Sequence, residues 1–90
     1  MFFVYILQSE LDQSYYKGFT EELLLRLKRH NNGESAYTRN KTPWHFVYIE
    51  PFSSKTEALK REKVLKKYSH AQIEQLIASS KNQIKTYLNG

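Results

Sequence analysis

The chain has 90 residues, 40% of them apolar and 14% aromatic, with no cysteine. That is enough for one packed domain, 1–90, and it excludes disulfides and thiolate metal sites. Fourteen Lys and Arg against nine Asp and Glu leave a net charge of +5, which points to a polyanionic partner, while the lack of a membrane-length apolar run or a leader pattern leads us to expect a cytoplasmic protein.

Phe2 to Gln8 reads as a strand that is apolar on both faces, Phe3, Tyr5 and Leu7 on one and Phe2, Val4 and Ile6 on the other. Such a strand belongs mid-sheet, covered on both sides. Ser9 to Ser14 lacks a tight Asn-Gly turn, so a longer loop is expected. In the next strand, Ser14 to Gly18, Tyr16 and Gly18 share a face opposite Tyr15 and Lys17. Packing requires aromatic residues here, but not two phenols, Tyr5 and Tyr16, on one face.

A helix is predicted over Glu21 to Asn31, with Thr20 as N-cap, Glu21 and Glu22 in the first turn, and a packing face of Leu23, Leu24, Leu25 and Leu27. Lys28, Arg29 and His30 load its last turn and Asn31-Asn32-Gly33 ends it. Arg26 and His30 lie one turn apart on a face with Glu22, a spacing suited to a phosphate. The plainer reading pairs Arg26 with Glu22 and leaves His30 to the helix dipole.

Glu34 to Pro43 reads as a polar loop whose exposed end carries Arg39, Asn40 and Lys41. Trp44 to Glu50 is a strand bounded by Pro43 and Pro51. Ser54-Lys55-Thr56-Glu57 opens a second helix running to about Tyr68. Glu62 falls among that helix's packing residues, Ala58, Leu59 and Leu65, between basic flanks that include Lys60 and Arg61. A carboxylate turned toward a core is costly unless it is paired or binds a metal; the plainer reading pairs Glu62 with a surface lysine. His70 to Ser79 gives a third helix, and Ile84, Tyr87 and Leu88 of the tail, Lys81 to Gly90, dock as a last turn. The order is strand, strand, helix, strand, helix, helix.

Phe3-Val4-Tyr5, Tyr16-Lys17-Gly18 leading into a helix with Arg26 and His30, Ala36-Tyr37-Thr38-Arg39, and Ala58 to Glu62 form an ordered set. That set resembles the GIY-YIG nuclease superfamily, above all its small stand-alone bacterial members, similar to the nuclease domain of the bacterial excinuclease. Phe3-Val4 stands in place of Gly-Ile, Lys17 in place of Ile, and Phe19 where some branches carry a lysine. The resemblance implies an α+β fold, a three-stranded and mostly antiparallel sheet flanked by helices. It also implies a metal-dependent endonuclease acting on DNA, in repair or recombination, with specificity for structure or damage. Its site would comprise Tyr5, Tyr16, Arg26, His30 and Glu62, with Mg²⁺ or Mn²⁺ held on Glu62 and 5′-phosphate and 3′-hydroxyl products. In this reading Tyr5 takes a proton from water and Tyr16 positions groups. Arg39, Lys41, Lys60 and Arg61 are the expected DNA contacts.

No reading head accompanies this domain, so a protein partner is expected to direct a monomer or weak homodimer to its substrate. Two other classes compete. One is a non-catalytic nucleic-acid-binding module on the same scaffold. The other is a protein-interaction domain whose basic helix docks an acidic partner, which leaves Glu62 and the two phenols unexplained. An RNA-recognition fold needs a different strand order.

Overall fold

The computed structural model describes residues 1–88; Asn89 and Gly90 of the expected tail lie outside the described residues. The elements are β1 (Phe2–Ser9), β2 (Tyr15–Thr20), α1 (Leu23–Asn31), β3 (Trp44–Phe52), α2 (Lys55–Leu65), α3 (His70–Ile77) and α4 (Ile84–Leu88), with a short 3₁₀ turn at Arg39–Lys41. The sheet order is β2-β1-β3, antiparallel throughout. β1 is therefore the central strand, as its two apolar faces require. Among the described residues no helix is long and apolar enough to cross a membrane.

Each face of the sheet has its own core. Val4, Ile6 and Tyr48 pack with Ala58 and Leu65 of α2 and Ile73 and Leu76 of α3. On the other face Tyr5, Leu7, Trp44, Phe46 and Ile49 pack with Leu23 of α1, flanked by Tyr16, Leu27, Ile84 and Leu88. A register shift between Ile6 and Leu7 pairs them with Tyr48 and Phe46, leaving Val47 as the extra residue. Val47 and Tyr48 consequently pack on the same face despite being neighbours.

Several boundaries differ from expectation. Thr20 does not cap α1. It pairs with Phe3 in the β ladder, and its hydroxyl accepts from Glu22 N at 3.0 Å. The helix then begins at Leu23, so Glu21 and Glu22 precede its first turn. The four leucines do not form one packing face either: Leu23 is buried and Leu27 partly so, but Leu24 and Leu25 point to solvent. The far end of α1 is as expected, with Gly33 at φ 77 beyond it. β3 continues through Pro51, opposite Phe3, which the sheet tolerates because β3 is an edge strand. Ser54 caps α2 by accepting from Glu57 N at 3.1 Å, but the helix ends at Leu65 rather than Tyr68.

The outer edge of β3 is closed by one side chain from beyond α3. Asn82 Oδ1 accepts from Ile49 N at 3.2 Å and Ile84 N at 3.1 Å. Its Nδ2 donates to Val47 O at 2.9 Å and Ile77 O at 3.0 Å, while Gln83 N donates to Ile49 O at 2.8 Å. β3 has no neighbouring strand on its outer side, so its outward groups need partners from elsewhere in the chain.

Candidate active site

Tyr5 sits mid-way along β1, directly opposite Gly18 of β2. A Cβ at Gly18 would lie 2.5 Å from Tyr5 Cζ and closer still to the hydroxyl. Glycine is thus needed here to admit the ring, with no unusual backbone angle involved. The phenol passes over β2 and meets α1, where Tyr5 Oη and His30 Nε2 are 3.0 Å apart. His30 Nδ1 is 2.7 Å from Thr38 Oγ1, and Trp44 Nε1 donates to the Thr38 carbonyl at 2.9 Å. Tyr5, His30 and Thr38 are all buried, at 1%, 2% and 0% exposure. A neutral imidazole has one donor and one acceptor nitrogen, so both ring nitrogens have a partner whichever tautomer is present.

Tyr16 stands at the edge of the chain and is only half-buried. Its ring lies 4.9 Å from that of His30 in an edge contact and 6.5 Å from that of Tyr5. Arg26, one turn before His30, lines a cleft of about 230 Å³ with Phe19, Thr20, Glu21, Glu22, Leu25 and Arg29. Among the described residues Arg26 forms no ion pair, so the pairing with Glu22 does not occur.

The electrostatics join these groups. Burial pushes the Tyr5 phenol above the usual tyrosine range. Negative charge at Tyr16 and at Glu62 acts the same way, and Arg26 opposes it. Burial, then the Arg26 charge, pushes His30 below its ordinary value. Arg26 is on α1, which packs on the Tyr5 face of the sheet, whereas Glu62 is on α2, which packs on the opposite face. Among the described residues no hydrogen bond or ion pair joins Glu62 to Tyr5, Tyr16, Arg26 or His30. The Glu62 side chain is 18% exposed and 3.6 Å from Lys66 Nζ, itself largely in solvent. The lysine pairing exists, then, but it does not draw the carboxylate out to the surface.

Among the described residues no three His, Asp or Glu side chains are grouped to hold a metal. The donor set is a single carboxylate. That fits Mg²⁺, a hard cation that keeps several waters and takes phosphate oxygens in place of a protein cage.

The expected DNA contacts divide. Arg39, Lys41 and Lys60 are exposed, and Lys41 is 3.1 Å from Asp12. Arg61 corrects the expectation of an exposed basic flank. Its Nε donates to Glu50 Oε1 at 2.9 Å, the same oxygen accepts from Tyr48 OH at 2.6 Å, and the side chain is only 17% exposed. Thr38 and Gly18 were missed as site-building residues. The Tyr5–Gly18 pairing was recoverable by laying one strand of the hairpin against the other, but Thr38 reaches His30 across a loop that carries no periodicity.

The GIY-YIG catalytic domain family model matches residues 1–75. A UPF0213 protein from Clostridium perfringens is 44% identical over 88 residues, covering 97% of this chain and 94% of the relative. One from Halobacterium salinarum is 42% identical over 77 residues, covering 84% and 99%. The solution NMR structure of a UPF0213 protein from Bacillus halodurans superposes with a TM-score of 0.59 at 33% identity, covering 99% of this chain and 96% of that one.

Proposed function

The chain belongs to the GIY-YIG catalytic domain family, and from that premise we propose that it is a single-domain, metal-dependent endonuclease that hydrolyses DNA phosphodiester bonds in the cytoplasm. The observation that carries the reading is the buried Tyr5–His30–Thr38 chain, with half-exposed Tyr16 packed on its edge and Arg26, without an ion pair among the described residues, one turn away.

The reaction is in-line attack of water on the phosphorus. Burial supports a different division of labour from the one expected from sequence. Tyr5 is sealed from solvent and its phenolate is disfavoured by desolvation. Tyr16 has open surface beside it, and its hydroxyl gives its own proton to solvent. The phenolate then takes a proton from the attacking water as the P–O3′ bond breaks and the 3′-oxygen leaves to be protonated by solvent. The Tyr5 and His30 rings pack against the Tyr16 ring, and burial together with the Arg26 charge favours the neutral imidazole. The Arg26 guanidinium neutralises charge that develops on the phosphate oxygens, an interaction worth more in a partly dry cleft than in water. Glu62 would hold Mg²⁺, which when bound supplies Lewis-acid stabilisation of the leaving oxygen. Products carry 5′-phosphate and 3′-hydroxyl ends. Specificity comes from DNA structure or damage, in keeping with a repair or recombination role and a protein partner that delivers a monomer or weak homodimer.

The test is incubation with nicked, flapped, branched and plain duplex DNA in Mg²⁺, Mn²⁺ or EDTA, beside Tyr16→Phe, Arg26→Ala and Glu62→Ala. Cleavage is expected only with metal, and each variant should lose at least about 100-fold in rate, the scale of one positioned proton acceptor or charge. Cleavage undiminished in all three variants would sink the site. The net charge of +5 suits a second reading equally, a DNA-binding module on the same scaffold that does not cut; binding by the parent without cleavage in any metal would establish it.

A further inference from the structure

Tyr37 is 85% exposed, more than any other large apolar side chain among the described residues. Burial cannot explain an aromatic ring in that position, and the segment around it is far from loose. Thr38, the next residue, is fully buried, with its hydroxyl on His30 and its carbonyl on Trp44. Thr38 N and Arg39 N both donate to Ser35 O, at 3.2 and 3.0 Å, and Ser9 Oγ donates to Lys41 O at 2.6 Å. The ring is thus held out into water on a fixed stem. Consecutive Cα atoms are only ~3.8 Å apart, so that stem is tied directly to the residue contacting His30. Exposed Arg39, Asn40 and Lys41 follow immediately. An exposed aromatic face two residues before an exposed arginine is what a single-stranded nucleic-acid site uses: the ring stacks a base and the cation holds the adjoining phosphate.

We propose that Tyr37 is a stacking platform for an unpaired nucleobase, with Arg39 on the neighbouring phosphate, and that this selects DNA carrying an unpaired base next to the cut. The proposal rests on the endonuclease reading and specifies its substrate. A fully paired duplex keeps its bases stacked on one another and gains nothing from the ring. A flap, gap or bulge offers a free base at little cost.

The experiment measures binding in EDTA, so that no strand is cut. The probes are a duplex with one unpaired 2-aminopurine and the same duplex with that base paired. The parent should quench the unpaired 2-aminopurine. Tyr37→Ala should abolish the quenching and weaken binding to the unpaired probe about 5- to 100-fold, with the paired duplex unchanged within about twofold. Tyr37→Trp should retain both the quenching and the affinity. Equal loss on both probes, or no loss on either, overturns the proposal. Cleavage in Mg²⁺ is scored separately. A parent that binds and quenches but never cuts removes the endonuclease reading and leaves the stacking site standing. A parent that cuts, with Tyr37→Ala binding like the parent, removes the stacking site alone.

Discussion

Gly18 shows how one absent side chain sets up the site. A methyl there would collide with the Tyr5 ring, whose Cζ and Cε2 lie 2.5 and 2.9 Å from the Cβ position. Gly18→Ala should therefore cost about 1–3 kcal/mol of stability, the scale of overpacking, and displace the phenol from His30; urea unfolding and the His30 ring resonances read the two effects. The same cluster fixes the response to pH. His30 has its folded pKa depressed by burial and by Arg26, so its contribution to stability is fully present above the ordinary histidine value of about 6.5 and is lost as pH falls through the lower folded value. Thermal stability should decline as pH falls from about 6.5 toward that lower value, and His30→Gln should flatten the decline. Tyr5 and Tyr48 are shifted the other way, chiefly by burial. Their contribution is whole below about pH 10 and falls as pH rises beyond it. The part of the tyrosine absorbance that Tyr5→Phe and Tyr48→Phe remove should then rise together with alkaline unfolding rather than before it.

Among the elements, β1 and β3 were legible because alternation and apolar runs are local properties. The end of α1 and the Ser54 cap were legible because their chemistry lies within four residues. The start of α1 was not. Thr20 has the composition of a cap, yet pairing with Phe3 holds it in the sheet, and that pairing is a tertiary fact. Leu24 and Leu25 deceived for a similar reason: four leucines in five positions cannot all face one side of a helix. Two phenols, an Arg–His pair and a glutamate set among packing residues exceed what packing needs, and that surplus is what marks them as candidates in the sequence. Arg61 was misplaced because nothing local reveals that Glu50 and Tyr48 of β3 await it. That contact ties α2 to β3 one residue before Glu62. Glu50→Ala leaves Arg61 poorly solvated, and should cost near the low end of ~3–5 kcal/mol because both side chains still touch solvent. Glu50→Leu combined with Arg61→Met and Tyr48→Phe, which removes the hydroxyl that would otherwise lose its acceptor, should recover most of the loss in chemical denaturation.

For the molecule as a whole, the +5 charge makes DNA binding a salt-dependent quantity. If about five phosphates are neutralised, log affinity should fall against log salt with a slope of about −4.5. Arg39→Ala should make that slope shallower by about 0.9. Arg61→Met should leave it unchanged, because its guanidinium is spent on Glu50. A salt titration of the three proteins separates inward from outward charge. The edge of β3 carries a different consequence. The family match ends at residue 75, yet the groups that satisfy Ile49 and Val47 come from Asn82 and Gln83. A chain shortened to residue 77 would keep Tyr5, Tyr16, Arg26, His30 and Glu62 while baring a strand edge rich in β-branched and aromatic residues. Such an edge is a template for pairing with another copy. The shortened protein should form concentration-dependent aggregates that bind thioflavin, and Asn82→Ala should show the same tendency more weakly. Residues remote from the chemistry thus protect the protein against self-association.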